Sequence, residues 1–402
     1  MSDLFDKFRP VQRQHAEMVA AAGRDPLAVR VEQVHTPTEA QVEGERCVLL
    51  GSNNYLGLTF APDALDAASR AVREAGTGTT GSRVANGSYA GHQELEEQLA
   101  RFYAREHAVL FTTGYQANVG FLSAIGGRDD TILIDADSHA SIYDGCKLGD
   151  ATVMRFRHND ARDLDRRLRR VGAGGNALVV VEGVYSMRGD RAPLAEIAEV
   201  TQRHGAYLLV DEAHALGVLG ANGRGLAEEA GLEDRVDFIL GTFSKSVGTI
   251  GGFCVSNHPE LEAIRLAARA YLFTASLPPA VVAAASHTLE HIRADPARRE
   301  RLWANTDRVY DGLVDLGFDV GPEKTPVIGV MMPDVVTGVR VWETLLANGV
   351  YVNLALPPAT PRDTCLLRCS VCAEHTDAQL DTVLDAFHTA AAHLPGVAAA
   401  AE

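Results

Sequence analysis

Apolar positions in this chain follow two alternating rhythms, short runs that read as buried strands and longer stretches at helical spacing. Through the middle of the chain, strands are predicted at 108–111, 131–134, 152–156, 177–182, 207–211, 237–241 and 253–256. Helices are predicted between them at 115–125, 140–147, 160–170 and 193–203. Ahead of this block lie a helical pattern within residues 1–30 (Phe5, Phe8, Val11, Met18, Val19), a short strand at 47–50, and helices at 62–75 and 92–104. Behind it, helical patterns at 258–272, 278–293 and 298–316 lead to strands near 327–332, 350–354 and 365–371. Strands that alternate with helices predict an α/β fold with a mostly parallel, doubly wound sheet. The expected organisation is an N-terminal segment over 1–50, a large domain over 51–290 and a C-terminal α+β domain over 291–402.

Composition narrows the function classes. The 402 residues carry a formal net charge of −16, which argues against nucleic acid as a partner because phosphate contacts need an excess of Lys and Arg. No apolar run approaches the ~20 residues of a membrane span, and MSDLFDKFRP at the N-terminus lacks the apolar core of a secretory signal. Six scattered cysteines are consistent with reduced thiols, so a cytoplasmic protein is expected.

The candidate chemistry centres on Asp237 to Phe253, DFILGTFSKSVGTIGGF. The run Phe238, Ile239, Leu240 ends in Gly241-Thr242-Phe243-Ser244, which delivers Lys245, and Gly248, Gly251 and Gly252 follow. A lone lysine after a strand ordinarily points into solvent. Flanked by hydroxyls and by glycines that let a ligand come close, this one fits a Schiff-base lysine beside a phosphate site.

Other motifs sort by context. Gly76-x-Gly78-x-x-Gly81 is spelled like a dinucleotide fingerprint, but a helix rather than a strand precedes it, so a pocket-lining loop is the better reading. Asp211-Glu-Ala-His214 is spelled like a helicase box, yet no GxxxxGK[ST] loop accompanies it. Asp211 ends a predicted strand, where it either caps the next helix or pairs with a buried cation such as a pyridinium nitrogen. His139 follows the strand at 131–134 and is either structural or stacked on a planar ring. Gly114-Tyr115 opens a helix whose free N–H groups suit a phosphate, or is a plain turn. Cys365, Cys369, Cys372 and His375 do not make a metal site, because strand alternation puts Cys369 and Cys372 on opposite faces and no second ligand pair exists. Arg368 on that strand wants an anion, either a substrate carboxylate or an internal acid.

Together with NNYLGL, GTGTTGSR, TTGYQAN, DADSHASIYDG, EGVYSMRGD, DEAHALG, FTASLPP and LLRCSVCAEHT, these stretches resemble the α-oxoamine synthases over about residues 25–390. The resemblance implies a fold-type-I pyridoxal 5'-phosphate (PLP) enzyme, aspartate-aminotransferase-like, with a large domain built on a mostly parallel seven-stranded sheet and a smaller C-terminal α+β domain. It implies that Lys245 carries the cofactor and moves the substrate α-proton, that Asp211 binds the pyridine nitrogen, that His139 stacks on the ring and that His214 bonds its 3-hydroxyl. Gly114, Tyr115, Thr242 and Ser244 would hold the phosphate and its surroundings, with Thr274 reaching it from the other subunit of a homodimer. Glu182, Ser186, Asn54, Tyr55 and Ser82 would line the site, and Arg368 would bind the amino-acid carboxylate.

The implied reaction condenses an amino acid, L-serine first, with an acyl thioester, palmitoyl-CoA first, losing CO2. Alanine or glycine with a carrier-protein thioester, alanine with a pimeloyl thioester, and a non-catalytic regulatory role are the alternatives, with a NAD- or ATP-dependent enzyme more remote. Leu356 departs from the arginine several relatives carry before the PPATP stretch, which bears on how the carboxylate is handled. A peripheral membrane contact is compatible with so long an acyl chain.

Overall fold

The computed structural model describes residues 3–172, 175–356, 360 and 364–394, and it divides into two compact units. One comprises Met1–Ser52, Met187–Gly189 and Leu302–Glu402; the other comprises Asn53–Ser186 and Asp190–Arg301.

The first unit opens with the helix Arg9–Ala22 and an antiparallel meander, β1 (Val31–Thr36), β2 (Glu39–Val42) and β3 (Glu45–Leu49). Glu43 and Gly44, both at positive φ (52° and 86°), form the tight connection from β2 to β3. Only a strand at 47–50 was expected here. Every residue of β1 is exposed, so no apolar alternation marks it in the sequence.

The second unit is built on seven strands: β4 (His107–Phe111), β5 (Asp130–Asp135), β6 (Thr152–Phe156), β7 (Asn176–Glu182), β8 (Tyr207–Asp211), β9 (Phe238–Thr242) and β10 (Gly252–Ser256). Their order is β4-β10-β9-β8-β7-β5-β6. β10 runs antiparallel to both its neighbours, β4 and β9, so β4 and β9 point the same way. The C-terminal ends of β4, β5, β7, β8 and β9 therefore share one edge, where open α/β sheets hold ligands. They are not successive in space, however: β10 separates β4 from β9, and β7 separates β8 from β5. Residues 177–182 of β7 are all buried, the signature of a central parallel strand covered on both faces. Phe121 from the helix Gly114–Ile125 and Ile142 from the helix Ala140–Leu148 join Val109, Ile132, Val180 and Leu240 in the core. The helical pattern at 258–272 is broken at Ala268, whose extended backbone (φ −75°, ψ 110°) separates Leu261–Ala267 from Arg269–Leu272.

The chain completes the first unit with β11 (Asp319–Val320), β12 (Val327–Met332), β13 (Val350–Tyr351), β14 (Asn353–Ala355) and β15 (Cys365–Ser370). β11, β12, β15 and β14 form one antiparallel sheet, whereas β13 pairs in parallel with β3. The single strand expected at 350–354 thus splits at Val352 between two sheets, its carbonyl accepting Trp342 Nε1–H at 3.0 Å. Residues 1–52 consequently belong with the C-terminal part, with Arg9–Ala22 packed on the helix Val335–Ala347. His375 uses both ring nitrogens on backbone, Nδ1 accepting Cys372 N–H (3.0 Å) and Nε2 donating to Leu49 O (3.1 Å). Burial lowers its pKa to about 4, which makes it a neutral structural histidine. The Ala-rich tail is described only to Leu394, and most of the PPATP stretch lies outside the described residues.

Candidate active site

At the C-terminal edge of the seven-stranded sheet lies a cavity of about 270 Å³, walled by residues from five strand ends. Lys245 enters from the turn after β9, Asp211 from the end of β8, Glu182 from the end of β7, His139 from the loop after β5, and Gly114 with Tyr115 from the helix after β4. His214, Thr242 and Ser244 also line it. Residues far apart in sequence meet because each strand stops at the same edge.

One end of the cavity is built for an anion. Thr113 caps the helix Gly114–Ile125, its hydroxyl accepting Gln116 N–H (3.0 Å) and its carbonyl accepting Ala117 N–H (3.0 Å), so the helix starts at Gly114 with the positive end of its dipole toward the cavity. A Cβ on Gly114 would lie 2.6 Å from Thr242 Cβ, so glycine lets this helix start approach the Thr242 and Ser244 hydroxyls, themselves 2.9 Å apart. Thr242 Oγ1 in turn donates to Gly251 O (2.9 Å), which fixes the turn that carries Lys245.

The other side carries carboxylates and imidazoles. Asp211, buried, accepts Ala213 N–H at Oδ1 (2.9 Å) and Asn118 Nδ2–H at Oδ2 (2.7 Å). Asn118 Nδ2 also reaches Ser141 Oγ (3.0 Å), and Ser141 Oγ lies 2.7 Å from His139 Nδ1. Burial lowers the pKa of His139, opposed by the charge of Asp211 and reinforced by that of Lys245, although the ring itself stays open to the cavity. Glu182 accepts the backbone N–H of His139, and burial, then the charge of Asp211, push its carboxyl well above the usual range. His214 Nδ1 lies 2.7 Å from the hydroxyl of Tyr55, a fully buried ring.

Several expected residues lie elsewhere. Thr274 does not line this cavity; its hydroxyl accepts Gln116 Nε2–H at 3.4 Å beside a smaller void near Arg83 and Tyr271. Ser186 sits in the turn after β7 and Ser82 in the loop before the helix Ala90–Phe102, where the Ser82 carbonyl accepts the N–H groups of Ala85 and Gly87. Asn54 donates from Nδ2 to Thr59 Oγ1 (2.8 Å), holding the loop that carries Tyr55. Arg368 lies buried on β15 of the other unit, where its Nη1–H donates to Ser370 Oγ (2.9 Å). The sequence reading missed Asn118 and Ser141, although an asparagine in the apolar helix GYQANVGFLSAI is a visible signal. It also gave Glu212 no role. That side chain is fully buried, accepts Leu226 N–H (3.0 Å) and Ala227 N–H (2.9 Å), and is pushed by burial to a pKa of about 8.

These groups suit PLP. The helix start at Gly114 with the Thr242 and Ser244 hydroxyls matches a phosphate, Lys245 matches a carbonyl carbon, and buried Asp211 matches a cationic ring nitrogen. Asn118 Oδ1, buried without a partner, marks the polar wall beside Asp211.

Comparison with known proteins agrees with this geometry. The family of class I and II aminotransferases matches residues 45–387. A serine palmitoyltransferase of Caulobacter vibrioides is 57% identical over 96% of this chain and 95% of its own length. One from Sphingomonas paucimobilis is 50% identical over 96% and 93%. A solved structure described as SPT with PLP internal aldimine superposes with a TM-score of 0.95 at 50% identity, covering 97% of this chain and 98% of the other.

Proposed function

This chain belongs to the class I and II aminotransferase family and, within it, to the PLP-dependent α-oxoamine synthases, and we propose that it condenses L-serine with palmitoyl-CoA. The products are 3-ketodihydrosphingosine, CoA and CO2. One observation carries the reading: a lysine, a buried carboxylate and a helix N-terminus converge on one cavity, each at a separate strand end. The choice of L-serine and palmitoyl-CoA is supported by the 57% identical relative.

The residues that would hold PLP are Gly114, Tyr115, Thr242 and Ser244 at the phosphate, Asp211 at the ring nitrogen, His214 at the 3-hydroxyl and Lys245 at the carbonyl carbon. When bound, PLP supplies an electron sink for the α-carbon of an amino acid. Asp211 would hold the ring nitrogen, its buried carboxylate favouring the cationic form there. Lys245 removes the α-proton as general base, a role worth roughly 10²–10⁴ in rate. His139, pinned through its backbone by Glu182, holds the ring plane and faces the substrate. Arg368 is assigned to the amino-acid carboxylate, a match for its fork of donors.

The protein is assigned as a homodimer in the cytoplasm. Phe273 (73% exposed), the chain neighbour of Thr274, is an apolar side chain that a partner subunit would cover, and Thr274 is assigned to the partner's site. Among the described residues, no helix is long and apolar enough to cross a membrane. Thiol release from palmitoyl-CoA by the PLP-loaded protein, measured separately with L-serine, L-alanine and glycine, tests the assignment. Release with L-serine well above the other two is expected, and release with alanine or glycine alone would contradict it.

A further inference from the structure

Asn118 and Ser141 close a chain of hydrogen bonds from Asp211 to His139 whose proton direction is fixed by chemistry. The Asp211 carboxylate can only accept, so the Asn118 group 2.7 Å from it must be the NH2 and not the amide oxygen. That nitrogen's second hydrogen goes to Ser141 Oγ at 3.0 Å. Ser141 Oγ also lies 2.7 Å from His139 Nδ1. The Ser141 backbone N–H, 3.2 Å from the same nitrogen, can only donate, so Nδ1 accepts and the neighbouring hydroxyl turns its own proton toward it. A ring nitrogen that receives two donors carries no proton, so the hydrogen of the neutral imidazole sits on Nε2.

We propose that Asn118 and Ser141 are positioning residues that hold His139 as the neutral Nε2–H tautomer, so that the ring presents an N–H donor to an oxygen of the bound amino acid. Asn118 and Ser141 lie inside the protein, 4% and 1% exposed, and the Ser141 N–H contact also caps the helix Ala140–Leu148 at His139. Asn118 Oδ1 is left buried without a partner, a cost accepted where the NH2 end serves two neighbours at once. The same chain ties the tautomer of His139 to the carboxylate assigned to the ring nitrogen. This deepens the reading of the cavity as a PLP site and rests on that reading only for the use of the donor.

Nitrogen-15 NMR of ring-labelled histidine in the holoenzyme tests it, with the His139 signals assigned by their loss in His139→Phe. The expected result is a pyridine-type, unprotonated Nδ1 and a pyrrole-type Nε2 at neutral pH. Ser141→Ala and Asn118→Ala are expected to move Nδ1 toward a mixed tautomer, and Ser141→Thr to restore the wild-type shift. A wild-type His139 protonated on Nδ1 or on both nitrogens would overturn the proposal, as would a wild-type shift in Ser141→Ala. If a variant does not fold, the wild-type spectrum alone decides. PLP loading is read separately by absorbance: failure to load would sink the cofactor reading, while the tautomer remains measurable in the unloaded protein.

Discussion

The hydroxyl of Tyr55 and Nδ1 of His214 lie 2.7 Å apart although 159 positions separate them in the chain. The contact joins the NNYLGL loop to the strand end that carries Asp211 and buries the tyrosine completely. Tyr55→Phe keeps the ring and removes the hydroxyl, so the fold should stand while His214 loses a partner that orients it. A lost hydrogen bond of this kind costs about 1 kcal/mol, a roughly fivefold rise in the Kd for PLP. Titration of the unloaded protein with PLP checks it.

Gly114 makes a close approach that no other residue tolerates. An added Cβ would meet Thr242 Cβ at 2.6 Å and Thr242 Oγ1 at 2.8 Å. Gly114→Ala should therefore push the helix start away from the Thr242 and Ser244 hydroxyls, at a cost of about 1–3 kcal/mol. Weaker PLP binding together with a lower Tm is the expected outcome, from the same titration and a thermal melt.

Glu182 separates charge from hydrogen bonding. Burial and the charge of Asp211 hold its carboxyl well above the usual range, and the His139 N–H needs only an acceptor. Glu182→Gln should keep activity near wild type. Glu182→Ala leaves that N–H without its acceptor, at about 1 kcal/mol, and should lower kcat. Steady-state kinetics on the two variants distinguishes these outcomes.

How far this was legible beforehand differs by element. The seven strands of the large sheet announce themselves because each is an apolar run between helical stretches, and Lys245, Asp211 and His139 were found from their places at strand ends. β1 was invisible because it is exposed along its whole length, and Val350 to Ala355 read as one strand because no local signal marks the change of sheet at Val352. Asn118 escaped notice because its partners, Asp211 and Ser141, are brought to it only by the sheet order. Thr274 lies apart from the Lys245 cavity of its own chain, a separation that no local sequence signal announces.

His158 gives a pH dependence with a defined sign. It bridges Asp135 (2.8 Å from Nδ1) and Asp190 (2.5 Å from Nε2), with Asp137 at 3.9 Å. Burial opposes its charge, but Asp135 and Asp190 raise its pKa from 6.5 to about 10. Because the folded value is the higher one, the stabilisation is fully present below about pH 6.5 and is lost as pH rises toward 10. Thermal melts across that window should show Tm falling in the wild type and a flatter profile in His158→Gln. The variant should also lose about 3 kcal/mol at neutral pH, because two buried carboxylates are left facing each other.

The central claim is that this chain condenses L-serine with palmitoyl-CoA and releases the serine carboxyl group. Incubating the PLP-loaded protein with palmitoyl-CoA and carboxyl-labelled L-serine, then following the label by mass spectrometry, tests it most directly. The account predicts that the label leaves as CO2 and that unlabelled 3-ketodihydrosphingosine accumulates, neither occurring with Lys245→Ala. Label retained in an acylated product, or product formation by Lys245→Ala at the wild-type rate, would contradict it.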